Sequence, residues 1–208
     1  MNYQLKLEEI LSKIDVKEYT PKLLLHACCG PCSSYVLEYL SNYFEITILY
    51  YNPNIYPEVE YLRRLNELKM FLKKFKTKNK VTLIECNYNT KEYDNAVNGL
   101  ESLGERSKRC YNCYNFRMDA SAKYASENNF DYFTTTLSIS PYKNSSWINE
   151  IGEKLESKYN VKFLYSDFKK KNGYKRSLEL SREYNLYRQD YCGCIYSKKE
   201  REKSYESV

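Results

Sequence analysis

The sequence has no apolar run long enough for a transmembrane helix, which needs about 20 consecutive apolar residues. Its N-terminal segment is polar and acidic, and it lacks the basic start and the apolar stretch of a secretory signal peptide. Internal repeats and low-complexity linkers are also absent. These absences predict a single globular domain that stays in the cytosol, and they argue against a membrane-bound, secreted or repetitive protein.

The composition suits a folded domain with a modest positive charge. Apolar residues make up 42% of the 208 residues and charged residues 29%, as in ordinary globular proteins. The net charge of +6 is compatible with a polyanionic partner, although most lysine-rich surfaces are simply solvated. Tyrosine is abundant, but so are Asn, Lys and Ile, whose codons are also rich in A and T. Genome composition therefore explains the tyrosines, which as a group indicate no function.

Short hydrophobic segments alternate with helical patterns along the chain. The predicted strands are residues 22–28, 44–51, 81–85, 130–136 and 161–165. The predicted helices are residues 3–16, a segment from Ser33, and residues 58–75, 110–128 and 145–159. This alternation predicts a parallel, doubly wound sheet in one α/β domain. We expect a lead-in helix within residues 1–20, the α/β domain with a cysteine-bearing C-terminal segment at 21–196, and a charged tail at 197–208.

Polar and cysteine-rich segments follow several of the predicted strands. Residues 28–32, 52–53, 134–141 and 166–167 all lie at the carboxyl ends of strands. In open α/β sheets, ligands bind in the crevice outside these strand ends. We therefore expect the functional groups to converge on one edge of the sheet.

Seven of the eight cysteines lie in three tight groups. The groups are HACCGPCSS with Cys28, Cys29 and Cys32, RCYNCYNF with Cys110 and Cys113, and YCGC with Cys192 and Cys194. Thiolates two or three residues apart can bind one metal centre, and separate groups meet only through the fold. In a reducing cytosol this pattern indicates metal binding or redox chemistry in preference to disulfides. Cys86 stands alone and is interpreted as a packing residue.

Three kinds of site remain open on cysteine spacing alone. Four thiolates complete a tetrahedral zinc site, whereas a four-iron cluster also takes four and leaves three cysteines for a second metal or a redox pair. The stretch Cys29-Gly30-Pro31-Cys32 also has the active-site sequence of thioredoxin, which favours a metal-free thiol–disulfide oxidoreductase. Against that alternative stand the additional Cys28, the two further cysteine pairs and a chain about twice as long as a thioredoxin domain needs.

Several long motifs, in order, resemble the cobalamin-independent epoxyqueuosine reductases of the QueH type. They span residues 23–196 and read LLLHACCGPCSS, YYNPNIYPEVEYLRRL, GERSKRCYNCYNFRM, FTTTLSISPYKN and FLYSDFKKKNGYKRSLELSREYNLYRQDYCGC. The resemblance implies a Rossmann-like domain of the HUP type. It also implies the last step of queuosine biosynthesis, in which epoxyqueuosine at the tRNA anticodon wobble position loses its epoxide oxygen. A cysteine loop replaces the Ser-Gly-Gly-type phosphate loop of ATP-using HUP proteins, so we do not expect ATP to be used.

The resemblance further implies a [4Fe-4S] cluster with an additional iron ion beside it. By motif position, it assigns four cysteines to the cluster: Cys28, Cys29, Cys110 and Cys113. Cys192 and Cys194 are then expected to hold the lone iron or to form a redox-active disulfide. Cys32, whose position is Asp in some relatives, is expected to serve the lone iron. Electrons would come from a donor that the sequence does not identify.

Basic residues near the cysteines are candidates for binding tRNA. Arg106, Lys108 and Arg109 flank the second cysteine group, and Lys143 follows a predicted strand. Each could contact an anticodon phosphate, or simply be solvated. His26, the only histidine, precedes the first cysteine group and is interpreted as a buried supporting residue in preference to a proton donor.

Overall fold

The predicted strands form one parallel sheet in a computed structural model that describes residues 2–206, with only the backbone of residue 206. Met1 and residues 207–208, the last two of the predicted tail, lie outside the described residues. The strands are β1 (Lys22–His26), β2 (Glu45–Tyr50), β3 (Val81–Glu85), β4 (Tyr132–Thr135) and β5 (Lys162–Phe163). Their order is β3-β2-β1-β4-β5, and every pair is parallel. The predicted doubly wound α/β fold is therefore confirmed.

Helices connect the strands and cover both faces of the sheet. They are α1 (Tyr3–Ser12), α2 (Gly30–Leu40), α3 (Glu58–Lys74), α4 (Thr90–Ala96), α5 (Lys108–Glu127), α6 (Ser145–Tyr159), α7 (Gly173–Glu183) and α8 (Ile195–Glu206). Three of these, α4, α7 and α8, were not predicted from the sequence. Within residues 2–206, no helix is long and apolar enough to cross a membrane.

The central strand β1 divides the core into two layers because its side chains alternate between the sheet faces. Leu23 and Leu25 pack in the layer with the apolar residues of α2 and α3. Leu24 packs on the other side, with the apolar residues of α5 and α6. A strand buried on both faces is typical of a parallel sheet, and it explains the unbroken KLLLH sequence of β1.

The carboxyl ends of the central strands position the site. Strand β1 leads directly into the first cysteine group, and α2 begins at Gly30 within that group. The N-terminal turns of α5 contain Cys110 and Cys113. The segment between α7 and α8, residues 184–194, brings Cys192 and Cys194 back to the same region, where Cys28, Cys110 and Cys192 line one cavity.

Candidate metal and redox site

The three cysteines of the first group form a compact triad of free thiols. The sulfur atoms of Cys28, Cys29 and Cys32 all lie within 4.8 Å of one another, and Cys28 Sγ is 3.8 Å from Cys29 Sγ. Ligand sulfurs about 2.3 Å from a tetrahedral metal lie about 3.8 Å apart. The spacing of the triad therefore fits thiolates that share one metal ion.

Hydrogen bonds within the triad distribute its protons unevenly. The thiols of Cys29 and Cys32 lower the pKa of Cys28 well below its usual range. Their contacts with Cys28, together with burial, raise the pKa of Cys29 to about 12 and also raise that of Cys32. Among the three sulfurs, the triad thus favours the thiolate form of Cys28. Metal binding to all three sulfurs would release the protons that the thiols still hold.

The other four clustered cysteines come together from α5 and from the segment before α8. Cys113 and Cys194 are buried in a small apolar cluster with Tyr93 and Val97. Burial raises the pKa of Cys113 to about 12, and the charges of Cys192, Cys194 and Cys110 contribute to the rise. Cys110 shows the same pattern, with burial the main cause of its raised pKa and smaller contributions from Cys192 and Cys194. These four thiols, the quartet, are therefore close enough to interact electrostatically.

The triad and the quartet group the cysteines differently from the partition that motif position implies. That partition placed Cys28 and Cys29 with the α5 cysteines, and Cys32 with Cys192 and Cys194. It stays a prediction, and the close spacing of the triad adds a second hypothesis, in which the triad and the quartet each bind their own metal. Sequence spacing could not distinguish the two, because which segments meet depends on the fold.

A cavity of about 500 Å³ opens onto both groups of thiols. Its lining includes Cys28 and Cys32 of the triad and Cys110 and Cys192 of the quartet. Several polar and charged side chains line the rest, among them Arg106, Ser140, Lys143, Tyr174, Arg188, Gln189 and Asp190. Its volume lies within the range of about 300–1,000 Å³ that is usual for small-molecule sites. The cavity can therefore place a base-sized group against both sets of sulfurs.

The comparison with known families agrees with the motif resemblance. The family model of "Epoxyqueuosine reductase QueH" matches residues 23–200. The chain belongs to the QueH family. It is 43% identical over 201 residues to the epoxyqueuosine reductase QueH of Streptococcus pyogenes, and this alignment covers 96% of this chain and 79% of the relative. It is 42% identical to the QueH of Staphylococcus epidermidis, in an alignment that covers 95% of this chain and 84% of the relative. It is 34% identical to the QueH of Thermotoga maritima, where 89% of this chain and 95% of the relative are covered.

A half-buried lysine and a buried arginine lie beside the sulfur groups of this QueH family member. Lys143 Nζ donates a hydrogen bond to Cys192 Sγ at 3.0 Å. Burial opposes the charge of Lys143, but the combined effects of Cys192 and Tyr114 raise the pKa of the lysine. The charge of Arg117, only 2% exposed, opposes the effect of burial on Cys113 and contributes to the lowered pKa of Cys28. These cations therefore offset part of the cost of placing thiolates in the site.

Arg117 also connects two cysteine segments. It donates from Nε to the Cys113 carbonyl and from Nη1 to Asn52 Oδ1, each at 3.4 Å. Asn52 in turn donates to the carbonyl of Ala27, directly before Cys28, at 2.8 Å. The Nη2 atom of Arg117 is buried with no hydrogen-bond partner among the described residues. A buried, unsatisfied guanidinium nitrogen is costly, so this donor fits an acceptor that the protein alone does not supply.

The segment before α8 is held by Arg64 of α3. This arginine, 1% exposed, donates to the carbonyls of Tyr191 and Cys192 at 3.3 and 3.2 Å. Its Nε is paired with Glu60 at 2.7 Å. Sequence analysis missed both Arg64 and Arg117. The available signal was their spacing, since Arg117 follows Cys113, and Arg64 follows Glu60, by one helical turn.

The basic residues expected to contact tRNA lie in different environments. Arg106 is exposed at the rim of the cavity, and Lys143 reaches into it. Lys108 is exposed but does not line the cavity. Arg109 is only 2% exposed and donates to the carbonyls of Glu101 and Leu103. The contact between Arg109 and a phosphate stays a prediction, and in this structure the preceding loop folds over the guanidinium and uses donors of its Nη1 atom.

The interpretation of His26 as a supporting residue agrees with its surroundings. It is fully buried, with Nδ1 2.9 Å from Thr135 Oγ1 and Nε2 3.1 Å from the Tyr51 carbonyl. Burial, with the nearby charge of Arg117, lowers the pKa of His26 to about 4. A neutral imidazole with both nitrogens occupied connects strands and does not donate protons at neutral pH. Cys86 packs beside the second core layer, as expected.

Proposed function

We propose that this chain reduces epoxyqueuosine in tRNA to queuosine, the last step of queuosine biosynthesis. The observation that carries the proposal is the convergence of three cysteine segments on one cavity at the carboxyl edge of the sheet. Membership of the QueH family gives the reaction its substrate. Because the substrate is tRNA, we expect the enzyme to act in the cytoplasm.

A [4Fe-4S] cluster and a single iron ion fit the two groups of free thiols. Four thiolates are the usual ligand set of a four-iron cluster, and the quartet supplies four. The triad of Cys28, Cys29 and Cys32 supplies three ligands, which leaves a position open on a four-coordinate ion. When bound, a cluster supplies electrons one at a time, and an iron with an open position acts as a Lewis acid.

The reaction needs two electrons and two protons. Both carbon–oxygen bonds of the epoxide break, a carbon–carbon double bond forms, and the oxygen leaves as water. An external electron donor must supply the electrons, because every turnover consumes two of them. The contribution of the chain is to enclose the base, to surround the thiolates with Lys143, Arg117 and Arg64, and to exclude the bulk of the solvent.

The alternative, a metal-free thiol–disulfide oxidoreductase, is not favoured. Such an enzyme must present its attacking sulfur to a disulfide in another protein. Cys29, the first cysteine of the thioredoxin-like sequence, is only 1% exposed. The hydrogen bond with Cys28 also raises its pKa, whereas nucleophilic thiols are activated by a lowered pKa.

The deciding experiment compares two substrates with the same enzyme preparation. Protein reconstituted with iron and sulfide without oxygen is incubated with a strong reductant and tRNA carrying epoxyqueuosine, and the nucleosides are measured by mass spectrometry. In a parallel assay the second substrate is insulin, whose disulfides a thiol–disulfide oxidoreductase would reduce. We expect the enzyme to convert epoxyqueuosine to queuosine and to add nothing to the reduction of insulin by the reductant alone. A Cys86→Ala variant is the matched control and should remain active, because Cys86 belongs to neither thiol group. Efficient insulin reduction by a metal-loaded enzyme that leaves the epoxide intact would overturn the proposal.

A further inference from the structure

A second, smaller hollow adjoins the cysteine-lined cavity. It measures about 280 Å³. The cavity and the hollow share one wall, formed by Arg106, Tyr114, Pro141, Tyr142 and Lys143. Asn144 and Trp147 complete the hollow on its far side. A group bound in the cavity and a group bound in the hollow would therefore be immediate neighbours.

The hollow combines aromatic walls with positive charge. Tyr142 is 64% exposed, and the guanidinium of Arg106 lies 5.6 Å from the centre of its ring. Trp147, the only tryptophan of the chain, lines the same hollow. Lys143 adds a second cation, and among the described residues no carboxylate side chain lines the hollow. This chemistry suits a flat, aromatic ligand attached to an anion.

A nucleotide next to the modified base has these properties. A base that enters the cavity stays attached to its sugar and phosphate, so the adjacent nucleotide must lie at the rim. Unstacked RNA bases bind by stacking on Tyr, Trp and Arg side chains, and basic residues hold their phosphates.

We propose that this hollow is a nucleotide subsite, in which a base flanking epoxyqueuosine stacks on Tyr142. Arg106 then contacts the RNA backbone or the exposed face of the stacked base. The proposal rests on the proposed function, because it takes the substrate to be tRNA. It extends that function by assigning a site for RNA outside the sulfur-lined cavity. Recognition then depends on the oligonucleotide and not on the modified base alone.

The subsite predicts how affinity depends on substrate length. The parent enzyme should bind a trinucleotide centred on epoxyqueuosine more tightly than the isolated nucleotide. Tyr142→Ala should remove that gain and weaken trinucleotide binding roughly 5-fold to 100-fold, as expected for one lost stacking contact. Tyr142→Phe keeps the ring and should bind like the parent. Because Tyr142 also lines the cavity, the decisive quantity is the ratio of trinucleotide affinity to isolated-nucleotide affinity, which Tyr142→Ala should lower and Tyr142→Phe should leave unchanged.

Two controls keep the test independent of folding. Tyr19→Ala removes a ring of similar exposure, 59%, from the segment before β1, at the opposite edge of the sheet. It should leave binding unchanged. In the unmodified parent, the fluorescence of Trp147 should be quenched by the trinucleotide but not by the isolated nucleotide.

The outcomes separate the subsite from the reaction. If the parent converts epoxyqueuosine, but Tyr142→Ala binds the trinucleotide as tightly as the parent and Trp147 is not quenched, the subsite is wrong and the proposed function stands. If the parent converts neither the trinucleotide nor full-length tRNA, the proposed function fails, whichever way the binding results fall. Loss of trinucleotide affinity in Tyr142→Ala with quenching in the parent supports the subsite.

Discussion

The ammonium group of Lys143 lies 3.0 Å from the sulfur of Cys192. This contact joins the loop after β4 to the segment before α8, so it couples two parts of the site that come from different segments of the chain. A charge-assisted hydrogen bond to a thiolate lowers the energy of the more negative state of a metal centre.

Replacing Lys143 tests this electrostatic role. Lys143→Met should lower the reduction potential of the reconstituted centre by up to about 130 mV, since a hydrogen bond to a charged group contributes about 1.5–3 kcal/mol and a cluster transfers one electron at a time. Lys143→Arg keeps the charge, and its reduction potential should lie near that of the parent. Redox titration followed by electron paramagnetic resonance measures the shift. Equal potentials in the Met variant and the parent would show that the contact has no influence on the centre.

The assignment of cysteines to metals is tested by two substitutions that separate the partitions. If the triad and the quartet each bind their own metal, Cys28→Ala should keep its acid-labile sulfide and lose only the single iron. Cys192→Ala should lose most of its sulfide, because the cluster loses a ligand. The partition by motif position predicts the reverse for both variants. Iron and sulfide analysis after anaerobic reconstitution distinguishes them, with Cys86→Ala as the control.

Arg117 is expected to matter for metal retention. Arg117→Met keeps much of the side-chain volume but removes a buried cation beside Cys113 and Cys28. We therefore expect faster loss of iron to a chelator and a lower reduction potential. Arg182→Met changes an exposed arginine of α7 and should behave like the parent. Iron loss at the parental rate in the Arg117 variant would contradict the counter-charge role.

Gly193 should be intolerant of a side chain. Its φ angle of +126° is one that residues with a Cβ rarely adopt, and a Cβ there would lie 3.0 Å from Arg64 Nη1. Gly193→Ala should therefore reduce the free energy of unfolding by about 1–3 kcal/mol and loosen the segment that bears Cys192. Chemical denaturation and hydrogen exchange of residues 187–194 measure both effects. The control is Gly104→Ala, since nothing lies within 4 Å of a Cβ at that position.

The exposed basic residues should control the salt dependence of tRNA binding. Changing both Arg106 and Lys108 to Ala removes up to two phosphate contacts, and the slope of log K against log salt should flatten by about 1.4 for single-stranded RNA. Arg109→Ala should instead destabilise the loop before α5, because it leaves the Glu101 and Leu103 carbonyls without their donor. Binding measured at several salt concentrations, together with thermal unfolding, separates these roles.

Much of the fold could be predicted because its signals are local. Each strand of the central sheet is a short apolar segment, and α3, α5 and α6 have helical periodicity. Helix α8 was missed because it has few apolar residues and no continuous apolar face. Strand β5 is shorter than predicted, covering Lys162–Phe163.

The sequence by itself determined the alternating α/β order, the edge of the sheet where the site lies, and the seven cysteines that form it. Only the tertiary structure decided which thiols are neighbours, because the segment with Cys192 is placed by Arg64 from a helix more than 100 residues away. It also decided that Arg109 is buried while Arg106 is exposed. A residue type specifies charge and hydrogen-bonding capacity, but burial depends on which segments fold over it, and that is set by contacts distant in sequence.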